Sequence, residues 1–217
     1  MGAARSIFVR FLIPLLVFVA ACGSANAVVD VDDDTTVADQ IELSLSLYVV
    51  DEADGGTGSA RSSQRSVAAV EQIVERMQTI WDQAGIVFVI STITRIEAPT
   101  EVLSDLGRGE TATFLDGVYR GIIKVPDAGT INGFYVRSLG RINGMAPLGT
   151  RTFFVTDEPS VHDERVSSHE IGHILGLHHT TDDSGRLMFS GTNGMEFSEA
   201  EIATARYTAE GIIDGNR

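Results

Sequence analysis

The sequence predicts an α+β fold, an α/β sandwich in which helices pack on a twisted mixed β-sheet. Three observations support this prediction. Between residues 41 and 93, an apolar segment, an amphipathic segment with helical spacing and a second apolar segment follow one another. Further short apolar segments come next, and helix-start signals appear near the end of the chain. A chain that begins strand–helix–strand, continues with further strands and ends in helices is typical of a β-sheet with helices packed on it.

The first half of the domain shows its elements clearly. Residues 41–50 are apolar with partial alternation and are predicted as a strand, and the Gly- and Ser-rich residues 51–65 as a loop. Residues 66–83 carry apolar side chains at spacings of three and four, so we expect a helix that ends at Gly85. The β-branched residues 86–93 are predicted as a buried strand.

The second half is less regular. Residues 100–120 are ambiguous, with a short helix around 111–119. Ser198 and Glu201 have the spacing of a capping box, which predicts a C-terminal helix. Three further strands are predicted, at residues 121–125, 131–136 and 151–156.

Composition excludes several functional classes. The 217 residues contain 16 Lys and Arg against 30 Asp and Glu, a net charge of −14, and such an acidic chain is a poor nucleic-acid binder. Cys22 is the only cysteine, which excludes an intramolecular disulfide and a multi-cysteine metal cluster. The length suits one domain with a core of its own, and we expect a monomer.

Residues 1–21 are predicted as a signal peptide. Arg5 and Arg10 precede an apolar segment, residues 11–21, that is shorter than the roughly 20 residues that span a membrane. The small residues before Cys22 resemble a bacterial lipobox, in which cleavage precedes a cysteine that then carries lipid. The alternative is an ordinary cleaved signal peptide. The resemblance implies a lipid-anchored envelope protein, in the outer membrane of a Gram-negative cell because Gly23 follows, or an extracellular protein.

Residues 22–40 are predicted as an acidic tether, because Asp30 and Asp32–Asp34 repel one another and cannot form a core. A calcium loop here would lack the Gly and the distal Glu of an EF-hand. Calcium at Asp182 and Asp183 is also left open, with a solvated turn as the alternative. Residues 41–217 are expected to form one catalytic domain.

The residues that carry chemistry lie between positions 169 and 179. His169 and His173 are four residues apart, so on a helix both imidazoles lie on one face and can bind one metal ion. Glu170 can reach a water on that metal. Gly176 permits a left-handed helix end, after which the chain can return with His179 as the third ligand. Neighbouring His178 could compete with His179.

The string HEIGHILGLHH resembles the extended zinc motif of the metzincin metallopeptidases. The resemblance implies one zinc ion on His169, His173 and His179, with Glu170 as the general base. It also implies a methionine turn at Met188, nine residues after His179, a gap similar to that of the matrixin branch; Met195 is a weaker candidate. Ser190 stands where astacins and serralysins carry a tyrosine ligand.

The resemblance further implies a metzincin-like fold with an active-site helix, an antiparallel edge strand and a C-terminal helix. The candidate edge is residues 142–146, with Gly144, Met145 and Ala146 against the substrate, and residues 192–194 are expected to line the S1′ side, which receives the substrate residue after the cleaved bond. The implied function is a zinc endopeptidase that cleaves extracellular or envelope proteins. The alternative is a zinc-retaining lipoprotein that binds or adheres without proteolysis. Glu170 favours the enzyme, because a binding module does not need the base.

Overall fold

The computed structural model describes residues 40–125 and 130–215. The predicted signal peptide, Cys22 and almost all of the predicted tether lie outside these residues. The strands are β1 (Ile41–Glu52), β2 (Ile86–Ala98), β3 (Ile131–Val136), β4 (Gly144–Met145) and β5 (Thr152–Thr156). The helices are α1 (Val67–Trp81), α2 (Thr100–Leu106), α3 (Ala112–Tyr119), α4 (Asp163–Ile174) and α5 (Glu199–Ile213).

The five strands form one sheet in the order β2-β1-β3-β5-β4. Strands β2, β1, β3 and β5 are mutually parallel, and β4 pairs antiparallel with β5 at one edge of the sheet. The predicted mixed sheet with an antiparallel edge strand, covered by helices, is therefore confirmed. Among the residues that the structure describes, no helix is both long and apolar enough to cross a membrane.

Each face of the sheet covers its own hydrophobic cluster. Successive side chains of a strand point to opposite faces. Leu45 and Leu47 of β1 accordingly belong to the cluster under α1, α4 and α5, whereas Tyr48 and Val50 belong to the cluster with α2 and α3. The first cluster is the larger one and includes side chains of α4, so the helix that carries the histidines packs directly on the core.

Helix α1 begins and ends as its sequence predicts. The Ser66 side chain accepts a hydrogen bond from the Ala69 N–H, and the buried apolar side chains face the sheet. A short 3₁₀ turn, Asp82–Ala84, follows, and Gly85 adopts a left-handed φ of +62°. The C-terminal helix α5 has the predicted capping box between Ser198 and Glu201.

Two predictions about elements need correction, and an ambiguous region is resolved. Residues 121–125 are not a strand, because the N–H groups of Ile122 and Ile123 both donate to the Gly117 carbonyl and fold the chain back onto α3. The second strand continues to Ala98, five residues past its predicted end, because its partner β1 continues to Glu52. The short helix predicted around residues 111–119 is confirmed as α3, and the ambiguous residues before it include a further helix, α2.

Candidate metal centre

Helix α4 places three polar side chains at the edge of the sheet. His169, Glu170 and His173 all lie on it, and His169 and Glu170 are buried. The helix stops at Gly176, whose φ is +83°, and the N–H groups of Gly176 and Leu177 donate to the carbonyls of His173 and Gly172. The left-handed residue reverses the chain direction, and His179 returns to the two helical histidines.

The orientation of the two helical imidazoles is fixed by backbone carbonyls. His169 Nδ1 lies 2.8 Å from the Leu187 oxygen, and His173 Nδ1 lies 3.0 Å from the Leu177 oxygen. A carbonyl oxygen can only accept, so each Nδ1 carries the proton and each Nε2 keeps its lone pair. This is the arrangement of metal-binding histidines, whose other ring nitrogen donates to a carbonyl or carboxylate.

The three Nε2 atoms converge on one point. Nε2 of His179 is 3.1 Å from Nε2 of His169 and 3.1 Å from Nε2 of His173. Nitrogens at about 2.0–2.1 Å from a tetrahedral zinc ion are about 3.3 Å apart. Lone pairs that face each other at this distance repel unless a cation lies between them. The triad therefore fits a metal ion such as zinc.

Burial shifts the protonation of this site. It lowers the pKa of His169 to about 3 and also lowers the pKa of His173, so both rings stay in the neutral form that binds metals. Burial raises the pKa of the Glu170 carboxyl to about 8, against the positive charge of Arg165 and a hydrogen bond from the Ala146 N–H. Glu170 is only 6% exposed, so its carboxyl group is held away from bulk water beside the triad.

The triad faces a cleft of about 510 Å³. One rim is the edge strand with Gly144, Met145 and Ala146, and the opposite side includes Ser190 and Gly191. The structure therefore brings the predicted edge residues to the same cleft as Glu170 and the three histidines. Residues 192–194, predicted for the S1′ side, are not among the described residues that line this cleft.

Met188 lies beneath the triad, not in the cleft. It is fully buried, and a Cβ atom added at Gly172 would lie 2.7 Å from its sulfur. Met188 thus packs against the middle of α4, between the two helical histidines. Met195 is only partly buried and packs against the core cluster.

The remaining polar candidates lie at the surface. The His162 side chain is 60% exposed at the start of α4. His178 is exposed and points to no shared centre with the triad in the described structure. Asp182 and Asp183 are exposed in a turn, where Asp183 accepts a hydrogen bond from the Gly185 N–H. Among the described residues, these two aspartates belong to no cluster of three or more His, Cys, Asp or Glu side chains that could share one ion.

Sequence reasoning missed Arg165. This residue is only 4% exposed and lies one helical turn before His169, with its guanidinium on the carbonyls of Leu187 and Phe189. No described carboxylate forms an ion pair with it, and burial lowers its pKa. The available signal was its spacing of four from His169, which places both side chains on one helix face.

Comparison with known proteins shows the fold. No family model and no curated protein matches the chain. Archaemetzincin from Methanopyrus kandleri superposes with a TM-score of 0.53 at 16% identity, over 78% of this chain and 96% of that one. A chaperone–substrate complex gives 0.50 at 13% identity, over 80% of this chain and 35% of that one. Metalloproteinase-II from Bacteroides fragilis gives 0.47 at 14% identity, over 78% and 54%. The chain thus has a fold similar to that of archaemetzincin, with a histidine triad that can hold a metal ion.

Proposed function

We propose that this chain is a zinc-dependent endopeptidase that uses Glu170 as its general base. The observation that carries the proposal is the convergence of the three Nε2 atoms beside a buried carboxylate in an open cleft. Three protein ligands leave one coordination position for water or substrate, which is typical of catalytic zinc sites. The fold similarity to archaemetzincin supports the same reading. The nine-residue gap from His179 to Met188 favours a matrixin-like branch.

The chain's own residues would perform the proton transfers. His169, His173 and His179 would hold the ion, which when bound supplies a Lewis acid that acidifies water and polarises a carbonyl. Glu170 would accept a proton from the attacking water and deliver it to the departing amine. The Ala146 N–H orients the Glu170 carboxylate toward the edge strand, and the core beneath α4 keeps it there.

The substrate would add a strand to the sheet. Strand β4 is the last strand at its edge, and its outer side faces the cleft. An extended peptide that pairs antiparallel with Gly144 and Met145 would bring a peptide bond to the triad. Antiparallel pairing is the more stable arrangement, and β4 already uses it with β5.

The location of the enzyme is a separate proposal. Lipid on Cys22 would anchor a monomeric protein in the bacterial envelope, with peptides or proteins as substrates and no nucleic-acid partner. A Cys22→Ser variant of the full chain should then move from the membrane fraction to the soluble fraction. Unchanged membrane retention would contradict the anchor but not the peptidase.

A Glu170→Gln variant tests the peptidase. Loss of a general base lowers rates by roughly 10²- to 10⁴-fold. We expect this loss in cleavage of a broad peptide library, while bound zinc stays at one ion per chain by mass spectrometry. His162→Gln, on the exposed start of the same helix, is the matched control and should cleave normally. Wild-type chain that binds one zinc ion but cleaves no peptide would reject the enzyme and leave the zinc-retaining binding module.

A further inference from the structure

A second pocket, of about 300 Å³, adjoins the metal cleft. Its walls come from the loop after β4, with Pro147 and Leu148, and from the end of α4, with Ile174. Its third side is α5, which contributes Thr208 and Ile212. Helix α5 therefore borders the substrate region, a role that its capping box gave no reason to expect.

The pocket is continuous with the cleft. Ala146 and His173 line both spaces. Ala146 is also the residue whose N–H donates to Glu170, and His173 is a member of the triad. Anything that crosses the cleft along β4 therefore passes the mouth of this pocket.

The chemistry of the pocket suits an apolar side chain. Its exposed lining surface is mainly apolar, and of the described residues that line it none is acidic and only Arg151 carries a fixed charge. Leu148 stands on its rim with its side chain 97% exposed. A large apolar side chain held in water next to an apolar cavity favours an apolar group that covers it.

The strand direction says which part of a substrate reaches the pocket. Strand β4 runs from Gly144 to Met145 and then into the pocket wall at Ala146. A peptide that pairs antiparallel with β4 runs the opposite way. Its residues on the amino-terminal side of the triad therefore lie beside the pocket, and its carboxyl-terminal residues lie toward Asn143.

We propose that this pocket selects a large apolar side chain on the amino-terminal side of the cleaved bond. The proposal rests on the proposed peptidase function and names the substrate class of the same site. A hydrophobic pocket of this kind distinguishes side chains by roughly 10- to 200-fold. We expect at least a tenfold fall in kcat/KM when that substrate residue, Leu or Phe, is replaced by Asp.

The test uses the zinc-loaded full chain and a peptide library that randomises three residues on each side of the cleaved bond. Ile212→Trp should fill the pocket and reduce the preference to less than about threefold, and Leu148→Ala should weaken it. Leu148 is almost fully exposed, so its variant cannot fail for lack of folding. Ile213→Trp is the matched control, because Ile213 is the next residue of α5, is 56% exposed and does not line the pocket.

A binding measurement separates the pocket from the chemistry. The Glu170→Gln chain should bind peptides with Leu or Phe at the selected position at least about tenfold more tightly than the Asp peptide, and Ile212→Trp should remove the difference. No cleavage by the wild type, with this binding preference intact, would reject the peptidase but not the pocket. The proposal would be wrong if the wild type cleaves peptides with no preference, or with a preference for polar residues, on the amino-terminal side of the bond and Ile212→Trp leaves this unchanged.

Discussion

Arg165 and His169 donate hydrogen bonds to the same acceptor, the carbonyl oxygen of Leu187. The distances are 2.7 Å from Arg165 Nη2 and 2.8 Å from His169 Nδ1. The same guanidinium nitrogen also contacts the Phe189 carbonyl, so Arg165 binds the backbone on both sides of Met188. The loop that orients the first histidine of the triad is thus held by a residue one helical turn earlier.

Replacing Arg165 should weaken zinc binding. Arg165→Met keeps the length and the apolar stem but removes both donors, so the Leu187 carbonyl no longer has a fixed position for His169. Loss of such an outer partner typically lowers metal affinity by about 10- to 100-fold. Competition with a zinc chelator measures the change, and circular dichroism checks the fold.

Arg76→Met is the control for the Arg165 variant. Arg76 forms an exposed ion pair with Glu164 near the start of the same helix. Its loss should leave zinc affinity within about twofold, because exposed pairs contribute little. Equal affinity of the Arg165→Met chain and the wild type would show that the shared carbonyl does not set the metal site.

Because Gly172 and Met188 are in close contact, the effect of Gly172→Ala on the free energy of unfolding should change sign when Met188 is shortened. In the wild type, Gly172→Ala should destabilise the fold by about 1–3 kcal/mol, because the new Cβ meets the buried Met188 sulfur. In a Met188→Ala background the space is open, and the same substitution should stabilise α4 by up to about 1 kcal/mol through helix propensity. Urea unfolding of the four chains gives the coupling. Additive free energies would mean that the two residues do not touch.

Local patterns made the main parts of the site predictable. Helix α1 follows from its apolar spacing, and the histidine triad follows from a spacing of four and a left-handed glycine, Gly176, whose φ is +83°. These are local properties, so the sequence carries them directly. The fold class followed because strands and helices alternate in a recognisable order.

Tertiary contacts determined what could not be predicted. Residues 121–125 are apolar enough for a strand, but their N–H groups are taken by the end of α3 at Gly117. The burial of Arg165 could not be expected from its residue type, since arginine is rarely buried without a carboxylate partner. The apolar pocket exists only because Ile212 of α5 lies beside the loop after β4.

The ion pair between Arg65 and Asp163 should matter to stability, unlike most such pairs. Arg65 makes two hydrogen bonds to the Asp163 carboxylate, at 2.8 and 2.7 Å, and lies near Asp157, whose side chain is only 3% exposed. Arg65→Met leaves Asp163 without its guanidinium and leaves Asp157 with Arg137 alone, 3.5 Å away, and it should lower the free energy of unfolding by about 3 kcal/mol. Arg76→Met should lower it by less than about 1 kcal/mol. If urea unfolding shows similar losses for Arg65→Met and Arg76→Met, then the contacts of Arg65 with Asp163 and Asp157 contribute no more than an exposed ion pair.

Zinc should raise the midpoint of thermal unfolding, and this increase should require His179 but not the neighbouring His178. At a zinc concentration of 100 Kd the stabilisation is about 2.7 kcal/mol, which raises Tm by about 5–10 °C for a domain of this size. His179→Ala should remove the shift, because this ring supplies the nitrogen 3.1 Å from both other ligands. His178→Ala is the matched control and should keep it. A shift lost in His178→Ala and kept in His179→Ala would reassign the third ligand; differential scanning calorimetry with and without zinc decides.

Gly144→Ala should impair catalysis without affecting the metal. A Cβ at Gly144 would lie 2.8 Å from Glu170 Oε1 and 2.7 Å from Val166 Cγ1, so the carboxylate must move away from the edge strand. The three atoms nearest to this Cβ belong to Val166 and Glu170 and not to a histidine. We expect kcat to fall by about 10²-fold, as for a misplaced catalytic group, with zinc affinity unchanged.

Gly58→Ala, where the added Cβ meets nothing within 4 Å, is the control and should have normal kcat. Loss of zinc in Gly144→Ala would mean that the edge strand holds α4 itself, and unchanged kcat would mean that Glu170 tolerates displacement.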